Sequence, residues 1–252
     1  MDMFLYLDKN TFLHRLDPRT KILIMFGSFV VALMFNSLPI LLGLSVIMLI
    51  YGYSGQILSN LKRIRTVLIM IALVSIVLWS LTYGGETKIL GPISKEGIIY
   101  GIMIGIKFDI MIISGMIFLS STKIEEIFIG LVKLGLPYRG AFAFSTAIRL
   151  VPMIVATSYT ITQAQKSRGL DLDSGTYYQR TKKYVPLLIP TLVSVIRGTN
   201  VFAMALESKG FGYSDERTHY LEISFDKSDY IMMFFTALII VLSIFFKIKY
   251  KL

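Results

Sequence analysis

Two short segments of this 252-residue chain share one pattern: Gln163-Ala164-Gln165-Lys166-Ser167-Arg168-Gly169, and Leu206-Glu207-Ser208-Lys209-Gly210-Phe211-Gly212. Each closes a long helical pattern with a serine, a cation and a glycine, and an apolar residue follows. A glycine just past a helix adopts the left-handed conformation at little cost and stops the helix. The cation before it then sits on the last turn, where the helix dipole favours positive charge. One such ending is ordinary. Two of them, each closing a long amphipathic helix, read as contacts offered to an acidic partner. Arg168 has the planar five-donor fork suited to an acidic groove, whereas Lys209 brings charge without the fork.

Other residues that could carry chemistry are sparse. There is no cysteine, which excludes disulfides, thiolate metal sites and cysteine nucleophiles. His14 and His219 are far apart, lack metal-ligand spacing and read as surface residues. The pair Asp171 and Asp173 follows a helix end among basic residues and reads as a solvated turn. The Gly-x-x-x-x-Gly-Lys-Ser/Thr phosphate loop and the Gly-x-Ser-x-Gly elbow are both missing, so nucleotide hydrolysis by that loop and serine-centred acyl transfer are excluded. Lys107 and Asp109 lie inside an apolar stretch, where ionisable groups face protein or water. They read first as inter-helix pairing; the alternative is a self-contained secondary transporter or channel that uses both.

The elements that must position these residues are membrane helices. The chain is 54% hydrophobic and 17% charged, with mean hydropathy +0.67, and several apolar runs approach the roughly 20 residues a bilayer crossing needs. No cleavable signal is expected, since a polar, basic head precedes the first apolar run and no cleavage pattern ends it. The net charge of +10 follows from the cationic excess of cytoplasmic loops and implies no nucleic acid partner. Asp17 and Pro18 predict a helix start as N-cap and first residue. Short spans are expected over 22–35 and 40–53, broken by Asn36-Ser37-Leu38-Pro39. A basic loop with Lys62, Arg63 and Arg65 should precede a third span over 66–83, and a fourth is expected over 97–119. Inside that fourth span Gly101 and Gly105 have the spacing that lets helices approach closely in lipid. Ile124, Ile127, Phe128 and Leu131 then recur at amphipathic spacing, closed by Gly135 and Pro137. Long helices are expected over 138–168 and 181–209, on the cytoplasmic side because the segment joining them is cationic. A last span is expected over 230–246. Five crossings from an inside N-terminus leave the C-terminus outside, against the pull of Lys247, Lys249 and Lys251.

The expected fold is thus an all-α integral membrane protein of about five transmembrane helices plus long cytoplasm-side amphipathic helices. Its segments are a membrane part over 1–119, a cytoplasm-side helical part over 120–228 and a final span over 229–252.

At this point the sequence resembles the transmembrane (T) component of energy-coupling factor transporters, prokaryotic importers of vitamins and transition-metal ions. The resemblance covers most of the chain. It rests on Leu16-Asp17-Pro18-Arg19-Thr20-Lys21, on Ala147-Ile148-Arg149-Leu150-Val151-Pro152 and on the two segments described first. It implies a non-catalytic scaffold in the cell membrane, with no cofactor of its own, since ATP is bound by partner chains. Two ABC-type ATPases and a separate substrate-binding membrane (S) subunit are the implied partners. Ser167, Arg168 and Gly169, with Ser208, Lys209 and Gly210, would be the two docking motifs, supported by Arg149 and Glu207. Lys209 departs from the family, which usually has arginine there. Gly101 and Gly105 would serve helix packing.

Overall fold

The computed structural model describes residues 6–84, 87–90, 93–172, 174–213 and 223–250. His219, Asp173 and much of the polar segment before the last span therefore lie outside the described residues. Ten helices are described: α1 (Phe12–Arg15), α2 (Pro18–Met34), α3 (Leu38–Ser54), α4 (Leu58–Thr82), α5 (Lys95–Ser121), α6 (Ile124–Lys133), α7 (Tyr138–Ser167), α8 (Tyr177–Lys183), α9 (Val185–Ser208) and α10 (Lys227–Tyr250). Between α4 and α5 a small antiparallel ribbon pairs β1 (Lys88–Leu90) with β2 (Ile93–Ser94). The fold is all-α apart from that connection.

The chain divides into two compact units, Met1–Leu136 with Ile223–Leu252, and Pro137–Glu222. In the first, α2 starts as its sequence dictates: the Asp17 carboxylate accepts from the Arg19 N–H at 2.8 Å, with Pro18 in the first turn. The same carboxylate pairs with the Arg19 guanidinium at 3.0 Å. Three polar contacts set the register of α2 against α5. Lys21 Nζ donates to the Ser121 carbonyl at 2.8 Å, Ser28 and Ser114 hydroxyls meet at 2.9 Å, and Lys107 Nζ donates to Asn36 Oδ1 at 2.6 Å. One index rises as the other falls, so the helices are antiparallel. Helices α4 and α5 are antiparallel too, packed through a glycine stripe. A Cβ on Gly101 would lie 2.8 Å from Ile76 Cα, and one on Gly105 would lie 3.2 Å from Ala72 Cα. The close approach that this spacing allows is therefore used within the chain. Leu13, Val31, Leu41, Ile110 and Ile117 fill the core.

α10 closes this unit parallel to α2. The buried Asp229 carboxylate accepts from the Asp17 N–H at 2.8 Å and the Asp226 N–H at 2.9 Å, joining the starts of both helices. Further along, Thr236 and Ile240 pack on Gly27. The starts of α2 and α10, the end of α5 and α6 share one face of the unit. That face carries Arg15, Arg19, Lys123 and Lys133, and the end of α10 with Lys247 and Lys249 lies opposite. Lys62, Arg63 and Arg65 belong to the first two turns of α4 rather than to a loop, because no breaker follows Ile57; their side chains are exposed.

Five helical stretches are long and apolar enough to cross a membrane: Ser59–Thr82, Lys95–Ser121, Tyr138–Ser167, Tyr177–Ser208 and Lys227–Lys249. This set differs from the expected spans. α2 and α3 have 17 residues each, roughly 25 Å of helix, whereas α7 and the α8–α9 stretch pass on length and composition. In the second unit α8 and α9 replace the single helix expected over 181–209. Gln179 Oε1 accepts from the Thr176 N–H to start α8, and Tyr184 separates it from α9, whose first turn holds Pro186.

Candidate functional site

The second unit is built on α7 against α9. Phe211, just past α9, packs on Phe142 near the start of α7, with ring centroids 4.4 Å apart. Leu150 and Thr157 of α7 line one groove with Phe202 and Val195 of α9. Low numbers on one helix meet high numbers on the other, so the pair is antiparallel. The groove between them, of about 470 Å³, is lined mainly by apolar side chains.

Both helices end in the same hydrogen-bonded motif. At the end of α7, the Gly169 N–H donates to the Lys166 carbonyl and the Leu170 N–H to the Gln165 carbonyl, both at 3.0 Å. At the end of α9, the Gly210 N–H donates to Glu207 and the Phe211 N–H to Leu206, both at 2.9 Å. These are Schellman turns, and they need a left-handed residue, supplied by Gly169 at φ +91° and Gly210 at φ +70°. The turn alone marks no function, since α6 ends identically at Gly135, φ +107°. What sets α7 and α9 apart is the C-cap residue. Arg168 and Lys209 occupy that position and are exposed, and neither charge has a hydrogen-bond or ion-pair partner among the described residues. Ser167 and Ser208, also exposed, bond back to their own helices, donating to the Gln163 and Ala205 carbonyls at 3.1 and 3.0 Å. Glu207 and Arg149 are exposed.

The antiparallel pairing puts the two cations at opposite ends. Arg168 is level with the start of α9, and Lys209 with the first turns of α7. About 25 helical residues separate those levels, up to ~37 Å of helix. The two endings are therefore well separated along the helix pair.

The remaining candidates do not assemble with them. Lys107 is bound to Asn36, and Asp109 stands two positions on, about 200° around α5. Asp109 has one buried oxygen without a partner, and no ion pair joins it to Lys107 among the described residues. His14 is only partly exposed: its Nδ1 meets the Thr11 hydroxyl at 2.7 Å, and burial, as the largest cause, lowers its pKa. No group of three metal-ligating side chains forms among the described residues.

The profile of the family described as cobalt transport protein (CbiQ) matches residues 9–220. The chain belongs to this family. An energy-coupling factor transporter transmembrane protein of Macrococcus caseolyticus is 32% identical over 235 residues, covering 87% of this chain and 88% of that one. A protein of the same description from Acidaminococcus fermentans is 28% identical, covering 89% and 88%. One from Limosilactobacillus fermentum is 29% identical, covering 93% and 91%. Recognition from the short motifs and the family-wide match therefore agree on a transporter membrane component.

Proposed function

We propose that the chain is the membrane scaffold of an ATP-driven energy-coupling importer of vitamins or metal ions, and that Arg168 and Lys209 are its contacts with two ABC-type ATPases. The observation that carries this is the pair of glycine-capped ends with unpartnered cations at opposite ends of one antiparallel helix pair. Each cation is set on a rigid terminus, where the side chain projects from a fixed backbone. An acidic groove on each ATPase supplies the matching charge. Movement of the ATPases then pulls on both ends of one rigid element.

The same geometry supports one placement at the membrane. If α7 and α9 crossed the bilayer, their antiparallel ends would emerge on opposite sides, and only one cation could reach a cytoplasmic ATPase. Crossing would also place Arg149 and Arg197 in hydrocarbon, at about 2.5–3.5 kcal/mol each near a helix centre. Both arguments favour helices lying along the cytoplasmic surface, their apolar faces covered by lipid and by the S subunit. The basic face of the first unit is then the inner one, and the C-terminal end of α10 is outside.

Co-purification tests the contact. From membranes containing both partners, tagged wild-type chain should recover the ATPases, and Arg168→Ala should recover at least ~10-fold less, the size expected for a central arginine anchor. Lys209→Ala should cost less. An Arg168→Ala chain that recovers ATPase and supports transport like wild type would overturn the assignment.

A further inference from the structure

We propose that the outer end of the first unit holds an anionic phospholipid, its phosphate at Lys247 beside the buried Lys107 and one acyl chain in the groove between α3 and α10. The proposal rests on the membrane orientation given above but not on the ATPase contacts.

The starting observation is uncompensated charge. Lys107 is 7% exposed, and its one acceptor is the neutral Asn36 side chain at 2.6 Å. Lys247, exposed on the last turn of α10, stands two turns beyond Ile240, which packs on Gly27 of the parallel α2, and so comes to the level of the α2–α3 turn and Lys107. No carboxylate pairs with either lysine among the described residues. Two neighbouring ammonium groups at membrane depth without an anion are costly, and they recruit one from outside the chain.

Depth identifies the source of that anion. Trp79, Tyr83 and Tyr100 cluster at the outer end of α4 and α5, with Tyr100 centroids 4.9 Å from both other rings. Such aromatic groups mark the level of lipid headgroups. Lys107 stands seven residues further down α5, roughly 10 Å deeper. The α2–α3 turn at Asn36 lies at that deeper level, beside Lys107. The unit is therefore stepped: α4 and α5 reach the headgroup level, while α2 and α3 stop short. A bilayer meets such short helices by thinning, which draws headgroups inward.

Below the lysines the surface changes to suit an acyl chain. A cavity of about 110 Å³ opens among α2, α3 and α10, lined by Val31, Leu44, Met48, Phe235, Ile239 and Ile240 among others. Its upper α2 residue, Val31, is five positions below Asn36, roughly 8 Å. Phosphate above an apolar slot is the order of groups in a phospholipid and not in a free phosphate ion.

Native mass spectrometry of the full chain, in detergent with equal phosphatidylglycerol and phosphatidylcholine, provides the test. The basic inner face also attracts anionic lipid, so the readout is the difference between variants. Lys247→Gln should lower retained phosphatidylglycerol about fivefold at this site, as expected for one juxtamembrane lysine. Lys247→Glu, which supplies Lys107 with its own carboxylate, should remove one such lipid per chain. Lys95→Gln, the same charge loss elsewhere on the outer side, should retain lipid like wild type. Unchanged unfolding temperatures for all three variants establish that folding is intact. Wild-type retention by Lys247→Glu, equal loss in Lys95→Gln, or displacement by inorganic phosphate would each overturn the proposal.

Discussion

Arg168 and Lys209 differ in what they can hold. A guanidinium binds a carboxylate through two parallel hydrogen bonds, whereas an ammonium is a point charge on a flexible stem. The second contact should therefore tolerate substitution better than the first. The glycines after them are fixed by backbone need, and Gly101 is fixed by space. Gly101→Ala forces a Cβ to within 2.8 Å of the α4 backbone, an overpacking that costs about 1–3 kcal/mol. Gly115→Ala meets nothing within 4 Å and gains roughly 0.5–1 kcal/mol of helix propensity. Thermal unfolding in detergent should thus fall for the first and hold or rise for the second. If both behaved alike, the tight α4–α5 contact would be contradicted. The twin endings were legible in sequence because a helix stop is local chemistry. The environment of Lys107 was not, because Asn36 is 71 residues away.

At the scale of elements, the parallel pairing of α10 with α2 depends on one buried carboxylate. Asp229 gives one oxygen to each of two backbone N–H groups. Asp229→Asn keeps the shape but leaves one oxygen for two donors, and an unsatisfied buried donor costs about 1–3 kcal/mol. We expect a lower unfolding temperature and faster proteolysis near residues 223–226. Unchanged proteolysis would show that the join is held elsewhere. Sequence reading found the start of α2, since Asp17 caps its own helix, and found α6 by its spacing. It could not find the join, since 212 residues separate Asp17 from Asp229. It also set the start of α4 too late, because cations in the first two turns of a helix look like loop until the neighbouring backbone is known.

For the whole molecule, five helices of the first unit alternate in direction, with α10 running like α2. On the proposed orientation this alternation puts the end of α10 outside, as the expected count of five crossings does and against the pull of the C-terminal lysines. Length and composition admit α7 and α9 as spans, and only their antiparallel pairing, invisible in sequence, sets the consequence of that reading. On the proposed assignment both cationic endings face the cytoplasm and are covered by separate ATPases. The chain has no cysteine, so single substitutions give clean labels. Ser167→Cys and Ser208→Cys, treated with a membrane-impermeant thiol reagent, should both react in inverted vesicles stripped of ATPases and in neither case from the opposite side. Rebinding ATPases should protect both. Labelling of either position from outside, or full reactivity with ATPases bound, would contradict the account.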